Sequence, residues 1–333
     1  MHFGPTAAQE ELRGRVRGLF AGISPSAEVR RLMETDTGFD PQVWEAVQGF
    51  VRGGWLDLSV VLEEAGRVLL PAPYLATATA APFLPDDVGP CVATLALAEA
   101  AGRWDDAGVQ TRAVGSQLEG EKSYVVDGCV ADVLVVAARR EDGDVGLFLV
   151  DGDAPGLDRR PLNTVDQTRR QATVTLAATP ARPLPGTLDS AVDLCAVALA
   201  AEQVGGAERC LEAAVEHAGR RVQFGRPVGS FQAVKHLCAE MLLELESARS
   251  AAFVAAAAAA GNDPELPTAA SVAKACCSEA YVRVATDSLH VHGGLGFTWD
   301  HDAHLYFKRA RSSRLLFGDP NFHRERLARQ LGL

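Results

Sequence analysis

Between positions 220 and 232 the chain reads Arg-Arg-Val-Gln-Phe-Gly-Arg-Pro-Val-Gly-Ser-Phe-Gln. Arg220, Arg221 and Arg226 crowd one corner of a chain whose formal net charge is −11. Guanidinium groups held at a fixed break between helices grip a phosphate or diphosphate through charge-assisted, bidentate hydrogen bonds. Gln223 adds a donor and Phe224 a flat apolar wall. Gly225 and Gly229 permit turns, and Pro227 sets its own φ near −65°. A competing explanation is a basic helix C-terminus that complements the macrodipole and stops at glycine. On residue types alone both explanations stand.

A second stretch, from His290 to Phe297, reads His-Val-His-Gly-Gly-Leu-Gly-Phe. Glycines at a helix end most often form a left-handed cap. They also let a backbone approach a ligand phosphate where side chains are missing. Two such breaks, one of them rich in arginine, suggest a dinucleotide where neither alone would. His290, His292, His301 and His304, with Asp300 and Asp302, offer imidazole and carboxylate ligands for a metal. The glycine break divides the histidine pairs, however, and Asp302 reads as a helix N-cap, so no metal site is expected.

These stretches need helices to position them. Residues 1–85 read as helical, with Leu12, Val16, Leu19 and Phe20 at helical spacing, and likewise Val43, Val47, Phe50 and Val51. A third helix is expected from Leu58 to Leu70, ending before Pro71, with Pro73 making an irregular link. Short β-branched runs follow from Cys91 to about Thr179. Asp127-Gly128, flanked by Ser123–Val126 and Val130–Ala138, signals a hairpin. Val145–Val150 and Ala172–Leu176 read as further strands. Nothing between these strands is long enough for a crossover helix, so an antiparallel sandwich or barrel is expected, with 178–186 as a linker. From Asp189 onward the pattern is helical: a stripe of Val234, Leu237, Cys238, Met241, Leu242, Leu245 and Ala248, an alanine run to Ala260, a helix ending near His292, and two shorter ones. The expected fold class is α+β, divided into a shortened N-terminal helical domain (1–85), a middle antiparallel β domain (86–186) and a C-terminal four-helix bundle (187–333).

The bulk properties exclude several classes. The 333 residues are 47% hydrophobic and 23% charged, as in globular chains. Net negative charge argues against nucleic acid or a membrane surface as partner. The longest apolar run, about Ala251 to Ala260, is roughly half a membrane span. Seven cysteines without a C-x-x-C pair, and no signal-like N-terminus, fit a reducing, cytoplasmic setting.

The Arg-x-Gln-Phe-Gly-Arg-Pro stretch, the Gly-Gly-x-Gly-Phe stretch after an amphipathic helix, and the helix–β–helix layout together resemble the acyl-CoA dehydrogenase family over nearly the whole chain. The resemblance implies FAD, acyl-CoA, and α,β-dehydrogenation in which a carboxylate takes the α proton and flavin N5 takes a hydride. It also implies that the ADP half of a flavin reaches into a neighbouring subunit. Arg221, Gln223, Phe224 and Gln232 map to that neighbour's ADP-side contacts. Gly293 and Gly294 map to the glycine break, and His290 stands where the family usually has glutamine.

Departures from the family pattern are selective. The glutamate of the family's late Tyr-Glu-Gly-Thr-type turn is Phe317, within Leu316-Phe317-Gly318-Asp319. The alternative base position on the first long bundle helix is Cys195. Glu202 and Asp319 are the remaining carboxylates to weigh, the first as a charge within the long helix and the second as a helix start. On the ring side, Ala98 and Trp104 replace a threonine and a serine, and Tyr124-Val125-Val126 replaces Trp-x-Thr. Gly54-Trp55-Leu56 runs almost directly into a helix, so a loop bordering the acyl pocket is missing. With ADP-side residues kept and ring-side residues lost, the chain resembles the non-catalytic partner of actinobacterial α2β2 acyl-CoA dehydrogenases, sharing FAD with a glutamate-bearing homologue. By analogy its substrate would be a fatty or steroid side-chain acyl-CoA. The alternatives are a self-sufficient homodimer with a relocated base, or a flavin-free scaffold or acyl-CoA-binding subunit.

Overall fold

The computed structural model describes residues 4–51 and 53–333. Helices come first: α1 (Ala7–Ile23), α2 (Ser26–Met33), α3 (Pro41–Val47), α4 (Trp55–Arg67) and α5 (Tyr74–Ala80). Strands follow: β1 (Ala93–Ala96), β2 (Arg112–Val114), β3 (Gln117–Val126), β4 (Val133–Arg139), β5 (Val145–Asp151), β6 (Leu157–Pro161), β7 (Gln171–Pro180) and β8 (Arg182–Leu184). Then come α6 (Leu188–Arg220), the two-residue strands β9 (Val222–Gln223) and β10 (Arg226–Pro227), α7 (Gln232–Ala260), α8 (Leu266–His292), α9 (Ala303–Leu315) and α10 (Pro320–Gln330). The expected order of helices, sheet and helical bundle is present.

Two compact units divide the chain. One holds residues up to 30, 54–70 and 196–333; the other holds 31–53 and 71–195. Residues 1–85 are thus shared between them. In the first unit α1 starts with a capping box: Gln9 N–H donates to Thr6 Oγ1 at 3.3 Å, and Thr6 N–H to Gln9 Oε1 at 2.8 Å. It buries Val16 and Phe20. Helix α4 begins at Trp55, earlier than its apolar periodicity suggests, because Gly54 serves as N-cap. It crosses α6 at very short range. A Cβ on Gly66 would lie 2.0 Å from the Glu202 carbonyl oxygen, and one on Gly205 would lie 1.7 Å from that of Glu63. Helices α7 and α8 pack on each other, with buried Ala252, Ala255, Ala256 and Ala259 on α7 and Ala270, Ala273 and Ala280 on α8. Leu242, expected in the α7 stripe, is exposed together with Leu243; Met241, Leu245 and Ala248 make the buried face.

Two helices were not foreseen. In α2, Glu28, Arg30 and Arg31 hide its one apolar edge, and α5 starts directly after Pro73, which suits the beginning of a helix rather than an irregular link.

The second unit is built on one eight-stranded sheet in the order β6-β7-β3-β2-β4-β5-β8, with β1 also on β4. The sheet is mixed. β1 and β2 both run parallel to β4, along different parts of it, which corrects the all-antiparallel expectation. The Asp127-Gly128 turn exists, with Asp127 at φ 52°, but it joins no hairpin. β3 pairs with β2 and β7, and β4 with β5. β4 is buried along nearly its whole length and takes a central place with partners on both edges, as fully buried apolar strands do. β6 was unforeseen, and the supposed linker 178–186 carries the end of β7 and all of β8. The core gathers Leu118, Val125, Leu134, Val136, Phe148 and Val174.

Candidate functional site

The last turn of α6 leads straight into the arginine-rich corner. Arg221 N–H donates to the His217 carbonyl at 2.8 Å, and Val228 N–H donates to the Arg221 carbonyl at 2.8 Å. Between them β9 and β10 form a minimal hairpin, Gln223 opposite Arg226. Its tip, Phe224-Gly225, has φ of 52° and 76°, the pair of left-handed residues that such a two-residue turn requires. Phe224 is 91% exposed, with its ring edge-on to Phe231, over which Arg226 lies at 4.0 Å. Gly229 lets the turn pack back on α6, since a Cβ there would come within 2.9 Å of the Ala218 carbonyl oxygen. The three arginines differ in availability. Arg220 is paired with Glu216 at 2.8 Å, whereas Arg221 is exposed and has no carboxylate partner among the described residues. Gln232, exposed on the first turn of α7, contacts His236 at 3.0 Å.

At the end of α8, Gly293 is the cap residue at φ 60° and opens a short 3-10 turn, Gly293–Phe297. A Cβ on Gly293 or Gly294 would meet nothing within 4 Å, so this backbone faces open space. Gly296 instead packs inward, where a Cβ would touch His292 and Leu289 at 3.1 Å. The four histidines do not form one cluster. His290 is exposed, 3.7 Å from Asp287. His304 packs against Trp299. His292 stacks between His301 and a residue the sequence did not single out, His217. Among the described residues no group of three His, Cys, Asp or Glu is placed to hold a metal ion. Asp302 stands at the N-cap of α9 without capping it through its side chain. Its carboxylate instead accepts from Arg30 and from Ser26 Oγ, both at 2.7 Å.

The turn after α9 carries Phe317 and is held from both sides. Phe317 is 2% exposed with φ 59°. His323 Nε2 donates to its carbonyl at 2.9 Å. Lys274, fully buried on α8, donates to the Gly318 carbonyl at 2.8 Å and to the carbonyls of Ser313 and Arg314. Burial pushes Lys274 down to about 7 and His323 down to about 3. Asp319 caps α10, accepting from Phe322 N–H at 2.8 Å. Glu202 is buried against Arg309 at 2.8 Å, and a carboxylate engaged in that pair is not a free base. Cys195, wholly buried, has its thiol pushed far above the ordinary range by desolvation. Lys274 and His323 were missed, although a lone lysine within Ala273-Lys274-Ala275 was a readable signal.

In the sheet unit the segment from Leu97 to Asp105 is closed by its own neighbours. Glu99 Oε1 accepts from the N–H groups of Gln110 and Thr111 and from Thr111 Oγ1, each at 2.8 Å, and from buried Lys122 at 2.9 Å. Those donors hold its carboxyl below the usual range against the opposing effect of burial. Tyr124, at φ 59°, reaches back to the Ala100 carbonyl, and Trp104 is buried. Ala98 is buried too, and no side chain from Leu97 to Asp105 carries a hydroxyl.

Comparison with known proteins follows the same lines. A family model described as the acyl-CoA dehydrogenase C-terminal domain matches residues 189–332. Acyl-CoA dehydrogenase IpdE2 of Mycobacterium tuberculosis is 36% identical over 334 residues, 95% of each chain. The chain belongs to the acyl-CoA dehydrogenase family. Among solved members, a variant of the Tcur3481–Tcur3483 steroid acyl-CoA dehydrogenase is 30% identical, with a TM-score of 0.88 over 98% of both chains. The ChsE4–ChsE5 complex from Mycobacterium tuberculosis is 27% identical, with a TM-score of 0.90 over 100% of this chain and 99% of that one.

Proposed function

We propose that this chain is the non-catalytic subunit of a flavin-dependent acyl-CoA dehydrogenase built from two unlike chains. It contributes ADP-side contacts to an FAD shared with a homologue that carries the catalytic glutamate. The observation that carries this reading is the turn at Phe317: the ring is buried, His323 anchors the Phe317 carbonyl and Lys274 the Gly318 carbonyl, and the carboxylates of Glu202 and Asp319 are engaged in an ion pair and a helix cap. The cofactor's polar half fits what is exposed. Arg221 offers an uncommitted guanidinium for a diphosphate, Gln223, Gln232 and His290 offer side-chain hydrogen bonds, Phe224 offers an apolar face, and Gly293-Gly294 offer open backbone. Bound flavin supplies the hydride acceptor for α,β-dehydrogenation, while the α proton goes to the partner's carboxylate. The resemblance to a steroid acyl-CoA dehydrogenase supports a steroid side-chain acyl-CoA as substrate. Among the described residues no helix is long and apolar enough to cross a membrane.

Co-expression with a glutamate-bearing homologue tests this. Flavin and acyl-CoA oxidation are expected in the co-purified complex and not in the chain alone. Tight flavin and turnover in the isolated chain would refute the reading. In that case Glu202→Gln and Asp319→Asn in the homodimer would identify the base. A stable complex free of flavin would point to a scaffold.

A further inference from the structure

Three imidazoles stand ring against ring where the ends of α6 and α8 meet the loop before α9. The centroids of His217 and His292 are 4.5 Å apart, and those of His292 and His301 are 4.3 Å apart. All three line a cleft of about 450 Å³, through which solvent protons reach them. Each ring ends a segment that the ADP-side reading uses or supports. The His217 carbonyl receives the N–H of Arg221, and His292 immediately precedes Gly293. A further tie runs between the same two helices, from Ser288 Oγ to the Cys210 carbonyl at 3.0 Å.

Hydrogen bonds set the Nδ1 roles of two of the rings. His292 Nδ1 faces the Ser288 carbonyl at 2.7 Å, so that nitrogen carries the proton. His301 Nδ1 accepts the N–H of Ala303 at 3.1 Å, so that nitrogen carries none. Protonating His301 there would turn an acceptor toward a donor at the first turn of α9. The charges around the stack also oppose a second positive ring. Arg209 faces it from α6, Arg221 from the residue just after α6, and Arg30 from α2. Arg30 is shared with Asp302, the carboxylate nearest His301, and Arg220 with Glu216. Asp300 lies on the cleft wall, and Asp287 of α8 is taken up by His290. On α9, Lys308 adds positive charge over Trp299, and His304, packed against the same ring, is held below the ordinary imidazole range by desolvation and then by Lys308. Desolvation, and then the neighbouring rings and arginines, hold His217 and His301 below the ordinary imidazole range.

We propose that the His217–His292–His301 stack is a positioning cluster for the ADP half of the flavin. Neutral, it clamps the α6–α7 turn and the Gly293-Gly294 break together; protonated, it lets them part and the flavin leave. The flavin half of this inference rests on the ADP-side reading above, whereas the clamp does not.

Hydrogen–deuterium exchange, corrected for intrinsic pH dependence, separates the two in the full chain and in the co-purified complex. Measurements at about pH 7.5 and about pH 5.5 bracket the ordinary imidazole pKa near 6.5. Peptides covering 214–230 and 288–303 are expected to exchange on the order of tenfold faster at the acid pH, the change that one unit of pKa represents. The alanine-rich part of α7 is expected to stay protected, and flavin fluorescence should report cofactor loss from the complex over the same interval. His217→Phe keeps a flat ring without a titrating nitrogen, and His301→Gln keeps an acceptor for Ala303 N–H. Either should flatten the profile, and misfolding of one leaves the other to decide. Exchange that is the same at both pH values in the wild-type chain overturns the clamp, as does acid-dependent exchange that persists in both variants. A working clamp with flavin retention indifferent to pH overturns the cofactor link and leaves the clamp itself supported, while the ADP-side reading stands or falls on the co-expression test.

Discussion

Phe317 divides its work between ring and backbone: the ring fills a buried site, and the carbonyl is one of the anchors of the turn. Phe317→Ala is therefore expected to cost about 3–5 kcal/mol in denaturation of the chain. Turnover of the assembled complex per bound flavin should be unchanged, since no proton passes through a phenyl group. His323 makes a separate prediction. Its folded-state pKa, about 3, lies below the unfolded value near 6.5, so the folded state binds fewer protons in between. The stability from the neutral ring is complete above pH 6.5 and is lost as pH falls toward 3. The slope from this one group is at most about 1.4 kcal/mol per pH unit. Denaturation midpoints measured down that range should fall, and fall less steeply in His323→Asn. His323 was not legible because its role depends on how the turn six residues before it folds back, and His217 because its partner, His292, lies far along the chain.

At the scale of elements, glycine separates two kinds of site. Gly66→Ala or Gly205→Ala would drive a methyl into a carbonyl at the α4–α6 crossing. Overpacking of this sort costs about 1–3 kcal/mol or more, readable as a lower denaturation midpoint. Gly294→Ala meets nothing in the free chain, so stability should hold, while flavin affinity of the complex should weaken if the backbone there meets the ADP half. The long helices were legible because apolar periodicity repeats over many turns, and the glycine and proline signals placed their ends within a few residues. The sheet was legible as strands but not as a topology. Asp127-Gly128 did specify a reversal, yet partner choice was settled by which strand could be buried on both faces, and that strand was β4. The turn at Phe317 was legible as a turn between two helices, while its anchoring by Lys274 was not: the lone lysine among alanines marks a buried charge, but its carbonyl partners appear only once α9 and the turn are assembled.

At the scale of the molecule, the first unit is held partly by an ionic lattice linking α1, α4, α6 and α7. Arg13 meets Glu63 at 2.8 Å and Glu64 at 3.1 Å, Arg17 meets Glu64 at 2.7 Å, and Arg67 meets Glu208 and Glu212 at 2.7 Å. Arg249 joins through Glu63 and Glu208. Glu64 is 1% exposed and serves Arg13, Arg17 and Arg67 at once; each of the three keeps another carboxylate within reach, so Glu64→Ala is expected to cost about 1–3 kcal/mol through the charged hydrogen bonds it removes. Arg17→Ala, at a 44% exposed side chain, should cost no more than about 1 kcal/mol. Urea titration of both variants checks the contrast. The sealed turn at Phe317 also bears on descent. A single reversion to glutamate would place a carboxyl in a space shaped for a ring, beside a histidine and a lysine already committed to the backbone. Phe317→Glu is expected to lower the melting temperature without adding turnover to the complex. On the proposed reading, division of labour between two chains would be a one-way step, because the route back requires several neighbours to change together before the restored acid could be of use.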